Sequence, residues 1–208
     1  QLYGMGLSRS FRSLWAAEET AADYDYIELD FSSTGDNGPK SAHYLKLNPQ
    51  GKVPTLVDGE LVICESAAIM NYLAAKAPQH KLMPKDGTAD RAKYDEMCFF
   101  IMSELEQPLW TTGKHKFAIP EQYRVPEILT KTTAFEFAKA QSALLALKGD
   151  REYVIGDYFT MSLVIVQAKV LSIIANRLRL DFITDILYWS SVKSLPFTLN
   201  KATAFTLK

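Results

Sequence analysis

Little in this sequence speaks for metal, disulfide or nucleic-acid chemistry. Its 208 residues include only two cysteines, Cys64 and Cys98, and three histidines, His43, His80 and His115. The thiols lie far apart in apolar stretches, with no CxxC and no Cys/His spacing. They read as buried free thiols, and no metal site is expected. Lysine and arginine number 23 against 24 acidic residues, a formal net charge of −1. No basic excess exists to attract nucleic acid. The most apolar run, Met161 to Ala175, is interrupted by Gln167 and Lys169 and is too short to span a bilayer. No signal peptide is visible, and with so few thiols the expected location is cytoplasmic. Gln1 stands almost inside a strand pattern, as a trimmed start would leave it. Internal repeats and low-complexity tracts are lacking.

What is present is ample material for a core: 48% of residues are hydrophobic, enough for one large domain or two small ones. Phe11, Leu14, Trp15 and Glu18 recur at helical spacing, and Ile27, Leu29 and Phe31 alternate with Glu28 and Asp30 as a half-buried strand does. The stretch "SSTGDNGPKS" is a loop by composition. Val53 to Val57 and Leu61 to Cys64 flank Asp58-Gly59, a hairpin signal. Ser66 can cap a helix through Ile69, Met70, Leu73 and Ala77. Residues 1–77 thus read β-α-β, loop, β-β-α, and the polar "QHKLMPKDGT" within 78–88 reads as a linker. From 89 to 208 the pattern is helical. Tyr94, Met97, Cys98, Ile101, Met102, Leu105 and Leu109 form one stripe. A second helix is expected over Glu127 to Leu147. A third, apolar nearly all round, starts near Met161. The last thirty residues carry a less legible pattern.

The segment "NPQGKVPTLVDGELVICESAAIMNYL", residues 48 to 73, sets Pro54 at the mouth of a hairpin, although proline cannot donate to a strand ladder. X-Pro bonds have only a small trans preference. A cis Pro54 would leave the Val53 N–H and C=O free to pair with an extended peptide as an added strand. The plainer alternative is that Pro54 only ends a strand edge. Glu65-Ser66 opens the next helix, whose electropositive start suits a carboxylate, while Glu65 can accept from an ammonium group. Here too the alternative is a simple N-cap.

These motifs in this order resemble the glutathione-binding half of the cytosolic glutathione transferases. So does the N-terminal "LYGMGLSRSFR", and "YVIGDYFTMS" is similar to that family's start of a buried helix. The likeness is to the serine-type, bacterial-like members. It implies an α/β thioredoxin-like N-terminal domain with a cis Pro54, then an all-α C-terminal domain, paired in a homodimer. It implies glutathione as co-substrate and no cofactor. Val53 would hold the cysteinyl backbone, Glu65 and Ser66 the γ-glutamyl end. Lys52 would line the same pocket, and Lys40 would reach the glycine carboxylate. The family places a Tyr, Ser or Cys after the first strand to meet the thiol. Ser8 is the candidate here, with Ser10 beside it, since Ser8 precedes Arg12 by four residues as in the serine-type classes. Its hydroxyl can donate to a thiolate at a helix N-terminus, and its alternative role is an N-cap. No cysteine stands between Gly4 and Arg12, which argues against thiol exchange.

One departure stands out. The family carries an acidic residue three positions after the Ser/Thr opening the buried helix, whereas Thr160 is followed at that distance by Leu163, so the reciprocal half of a capping box is missing. A staple between Phe159 and Val164 remains available. The electrophile pocket is expected between the domains, lined by Trp110, Lys114 and Phe117, although both aromatics also suit ordinary helix packing. Two functions follow. One is a transferase that conjugates the thiolate to small hydrophobic electrophiles or reduces peroxides. The other is a non-catalytic module of the same fold serving binding or assembly.

Overall fold

The structure is a computed structural model that describes residues 1–5, 8–151 and 153–162. The chain divides into two compact units that part between Leu82 and Met83.

The first unit runs β1 (Leu2–Gly4), α1 (Ser10–Glu19), β2 (Tyr26–Glu28), α2 (Ala42–Leu47), β3 (Thr55–Asp58), β4 (Leu61–Cys64) and α3 (Ser66–Lys76). The four strands lie in the order β2-β1-β3-β4. β1 is parallel to β2 and antiparallel to β3, and β3 and β4 form the hairpin. β1 has a neighbour on each side and is buried along its whole length, as an apolar "LYG" between helical layers requires. Successive side chains of a strand face opposite ways. Tyr3 packs with Leu29 and Tyr44 of α2, along with Ile27, Leu47, Val53 and Val57. Elsewhere in the unit, α1 and α3 pack on each other.

Two local expectations change. The alternating strand pattern through Phe31 stops at Glu28, because Asp30 turns its carboxylate onto the Ser32 N–H at 2.8 Å and closes a turn. Phe31 is left 46% exposed. The loop after it contains a helix the pattern did not reveal: α2, only six residues long, is started by Ser41, whose hydroxyl accepts the Tyr44 N–H at 3.2 Å.

The second unit begins with α4 (Ala89–Phe100), capped by Thr88, whose hydroxyl accepts the Arg91 N–H. The expected single stripe is interrupted. A π-helical turn, Ile101–Leu105, precedes α5 (Glu106–Gly113), and another, Lys114–Ala118, follows it. Pro108 explains the first: it has no N–H for the carbonyl of Glu104, four residues back, so the regular ladder cannot run through. The wider turn shifts the buried face. Tyr94, Met97, Cys98, Ile101 and Leu105 are buried as expected, but Glu106 then enters the core at 2% exposure, while Met102 and Leu109 are half-buried.

The expected helix from Glu127 to Leu147 is divided into α6 (Glu127–Thr130) and α7 (Thr132–Lys148). The break falls in "TKTT", where β-branched residues favour a helix least. The N-terminal α/β sheet with its helices is thioredoxin-like, and the region after it is helical. Among the described residues no helix is long and apolar enough to cross a membrane. Met161 and Ser162 are helical and buried, and Thr160 Oγ1 lies 2.8 Å from Ser162 Oγ. The expected partners Leu163 and Val164, the rest of the third helix and the last thirty residues lie outside the described residues.

Candidate functional site

Strand register brings the motifs to one end of the sheet. Tyr3 pairs with Thr55, so Gly4 and Met5 run out beside Pro54 and Val53. Thr55 also pairs with Cys64, so the same stretch faces the passage from β4 through Glu65 into α3. Ser8 and the start of α1, the Val53-Pro54 bond and Glu65-Ser66 therefore meet at the edge where β1 ends and β3 begins.

The Val53-Pro54 peptide is cis. Its approach is fixed from α2: Tyr44 Oη donates to the Lys52 carbonyl at 2.5 Å, and Asn48 Nδ2 donates to the same oxygen at 2.8 Å. Tyr44 Oη and Asn48 Nδ2 also reach Thr55 Oγ1, at 2.9 and 3.2 Å. The carbonyl before the turn is thus held internally, whereas among the described residues no hydrogen bond is made by the Val53 N–H or C=O. Neither Tyr44 nor Asn48 stood out in the sequence. Asn48 opens the quoted segment, but nothing in its letter says that it braces a carbonyl four residues on.

Glu65 occupies φ 74°, ψ 115°, on the side of the map that favours glycine. Holding a glutamate there costs on the order of 1–3 kcal/mol. Its side chain is exposed and caps nothing on its own helix. The cap position belongs to Glu65, not to Ser66 as expected. Ser66 is the first helical residue, 1% exposed, and its Oγ accepts from Arg12 Nη1 at 3.4 Å. That contact ties α1 to the start of α3. Arg12 is itself buried at 1% exposure, an unusual place for a guanidinium that its spacing from Ser8 did not reveal.

Lys40 and Lys52 are both exposed. Lys40 Nζ donates to the Gln50 carbonyl at 3.1 Å, beside Gly51 at φ 60°, so its ammonium sits next to the Lys52-Val53 approach.

Ser8 is half-buried just before α1. Its Oγ lies 2.7 Å from the Met5 carbonyl oxygen and 2.8 Å from Ser10 Oγ, to either of which it donates, and it accepts the Ser10 N–H at 3.1 Å. The cap position of α1 falls to Arg9, not Ser8, and the Ser8 hydroxyl proton is directed at an internal acceptor. Tyr3 is buried on the α2 side, with its hydroxyl on Gln1 Oε1 at 3.2 Å.

The comparisons with known proteins fall on this same region. Residues 1–75 match the family model described as glutathione S-transferase, N-terminal domain. Residues 1–75 are thus similar to the N-terminal domain of the glutathione transferases. A zeta-class glutathione S-transferase of Euphorbia esula is 42% identical over 79 residues, which cover 38% of this chain and 34% of the relative. A structure of a delta-class glutathione transferase of Nilaparvata lugens is 29% identical, covers 97% of this chain and 91% of its own, and has a TM-score of 0.78. A theta-class glutathione S-transferase of Xanthomonas axonopodis pv. citri, solved with glutathione bound, is 27% identical over 86% of this chain and 83% of its own, with a TM-score of 0.68. The chain spans about a quarter to a half of the length of the curated relatives it matches.

The remaining expected residues lie in the second unit, beyond the 1–75 match. Trp110 is half-buried on α5, while Lys114 and Phe117 belong to the π turn after it. The two rings converge over Gly113, where an added Cβ would stand 3.4 Å from Phe117 and 3.7 Å from Trp110. Phe117 is nonetheless 67% exposed. Cys64 is half-buried and Cys98 buried, and burial pushes the Cys98 thiol up to about 12. No cluster of three or more His, Cys, Asp or Glu is placed to hold a metal among the described residues.

Proposed function

We propose that the chain is a glutathione transferase enzyme, serine-type, that binds glutathione at the β1/β3 end of the sheet and activates its thiol through Ser8. The observation that carries this reading is the convergence, set by strand register, of Val53 N–H and C=O groups that make no hydrogen bond among the described residues, a strained Glu65, the start of α3 and the Ser8 hydroxyl. Backbone groups with no internal partner are matched by an extended peptide. Val53 pairs with the cysteinyl residue, and the cis Pro54 turn presents it. Glu65 accepts from the α-ammonium group, Ser66 and the first N–H groups of α3 take the α-carboxylate, Lys52 lines the pocket, and Lys40 reaches the glycine carboxylate.

The chemistry then needs a thiolate. A free thiol titrates near 8.5, so most of it is protonated at neutral pH. A hydroxyl donated by Ser8, together with the start of α1, stabilises the anion by roughly 1.5–3 kcal/mol, one to two decades in its population. The substrates that fit a soft sulfur nucleophile are small hydrophobic electrophiles and peroxides, with Trp110, Lys114 and Phe117 as the residues that meet them. A cytoplasmic location goes with this reading.

Retention on immobilised glutathione, followed by turnover of a generic aryl halide, tests the reading. Retention with turnover is the expected result. Failure to be retained removes the site, and retention without turnover leaves a binding or assembly module. A two-fold homodimer belongs to the same proposal, through the "AKYDEMCFF" face of α4, where Phe99 is 74% exposed, and the Asp58-Gly59 hairpin, where Leu61 and Val62 are exposed. A monomer mass by light scattering at micromolar concentration would refute it.

A further inference from the structure

Ser8 Oγ is held by its neighbours through several hydrogen bonds at once. It has one proton and two acceptors, the Met5 carbonyl and Ser10 Oγ, and its own lone pair takes the Ser10 N–H. Ser10 therefore touches Ser8 Oγ twice, once through its backbone and once through its side chain. Ser10 Oγ also accepts the Met5 N–H at 3.2 Å, which closes a ring of hydrogen bonds over Met5, Ser8 and Ser10. Ser10 is 1% exposed, so water cannot readily replace its hydroxyl. Its seat is tight as well. Gly4 stands so close that an added Cβ would lie 2.8 Å from Ser10 Cβ and 2.6 Å from the Tyr26 hydroxyl oxygen.

A donor hydroxyl that turns towards a thiolate leaves the acceptors it served before. Those acceptors are then short of a proton, and the turn is favourable only if something compensates. Ser10 has a hydroxyl proton of its own, 2.8 Å from Ser8 Oγ. We propose that Ser10 is a positioning residue for Ser8: it accepts the Ser8 proton until a thiolate draws that proton away, then turns its own proton back onto Ser8 Oγ. Ser8 then accepts from the Ser10 N–H and O–H together while donating to sulfur, and a hydroxyl that accepts is a stronger donor. No covalent bond changes, and both hydroxyl protons stay on their own oxygens. This inference rests on the proposed role of Ser8.

The test compares wild type, Ser8→Ala, Ser10→Ala, Ser10→Thr and the Ser8→Ala/Ser10→Ala pair. Thiolate absorbance of the glutathione complex is followed against pH, with glutathione affinity measured alongside. Ser10→Ala should bind glutathione as wild type does, which also shows that it folds, yet hold roughly threefold less thiolate at neutral pH. Ser10→Thr, which keeps a hydroxyl, should titrate close to wild type. In the Ser8→Ala background, loss of Ser10 should add nothing, because Ser10 acts only through Ser8. A Ser10→Ala titration that matches wild type overturns the inference, as does an effect that adds in full to that of Ser8→Ala. Failure of the Ser8 reading gives a different pattern: Ser8→Ala itself would titrate like wild type, and the role of Ser10 falls with it.

Discussion

At one end of the four-stranded sheet, where β1 runs out after Gly4 and β3 has not yet begun, Val53 makes no backbone hydrogen bond among the described residues and Glu65 sits at φ 74°. At the other end the same strands finish at Asp58-Gly59 with their polar groups matched. The Gln1 ammonium donates to the Val57 carbonyl at 2.8 Å, and Asp58 accepts from Tyr72 at 2.7 Å and from Lys76. Both ends need a residue at positive φ. The hairpin uses Gly59, at φ 62°, with nothing within 4 Å of where its Cβ would stand. The other end holds a glutamate in the glycine-favouring half of the map. A turn needs only the backbone conformation, and glycine supplies it without strain. On the proposed function, the carboxylate kept there accepts from the ligand's ammonium group.

The largest effect should come from the strained end. Ser8→Ala is expected to leave glutathione affinity nearly intact and to raise the bound thiol's pKa, with turnover at neutral pH falling roughly ten- to a hundredfold. Raising the pH should recover part of the loss, since hydroxide then removes the proton that the hydroxyl no longer helps to release. Turnover and thiolate absorbance against pH check this together. An unchanged titration would mean that the backbone or another side chain activates the sulfur.

Glycine exchanged between the two ends sharpens the contrast. Glu65→Gly should weaken glutathione binding by about 1–3 kcal/mol, the scale of a charge-assisted hydrogen bond, while raising unfolding stability by about 1 kcal/mol as strain is released. Glu65→Ala should lose the same affinity with no gain in stability. Gly59→Ala should do the reverse of Glu65→Gly: stability falls by about 1 kcal/mol and binding does not change. Calorimetric affinities and urea midpoints for the three variants decide it. A Glu65→Gly protein that binds glutathione like wild type would remove Glu65 from the site.

Asn48→Ala probes the support behind the turn. It removes one of two donors to the Lys52 carbonyl, and Tyr44 keeps the other. Stability should fall by about 1 kcal/mol and glutathione affinity by a few-fold, through Val53 rather than through any contact of Asn48 with the ligand. Equal affinity in wild type and variant would show that Tyr44 alone fixes the approach to Pro54.

These residues also divide by how readable they were. Pro54, Glu65-Ser66 and Asp58-Gly59 could be found because special backbone conformations leave single-letter marks: a proline, a cap-like pair, a glycine after an aspartate. Tyr44 and Asn48 could not, because a side chain that braces a distant carbonyl has no letter pattern, and α2 is too short to show a period. Ser10 drew notice only as a second choice to Ser8, although its hydroxyl is the more deeply buried. In the helical unit the apolar stripe was legible in Tyr94, Met97, Cys98, Ile101 and Leu105, but not in Met102 and Leu109. Pro108 then forced a π turn and brought Glu106 inward, a consequence of the proline that a fixed helical period does not carry.

The smallest effect belongs to the relaxed end. The hydrogen bond from Lys76 holds the Asp58 carboxyl below its usual range, and Tyr72 adds to this. A carboxyl whose folded pKa is depressed adds stability that is present above its unfolded value, near 3.9, and lost as pH falls through the folded value. The Lys76–Asp58 pair is exposed on both sides, so the contribution is small and weakened by salt. Asp58→Asn should therefore be slightly less stable than wild type at neutral pH and low salt. The gap should close with added salt, and again in acid once Asp58 is protonated. Glutathione affinity should be the same for the two proteins throughout. Thermal midpoints at pH 7 and in acid, each at two salt concentrations, test the stability half, and calorimetry tests the other. An Asp58→Asn protein that loses glutathione affinity would break the contrast between the two ends, because the hairpin would then be coupled to the site along the length of β3.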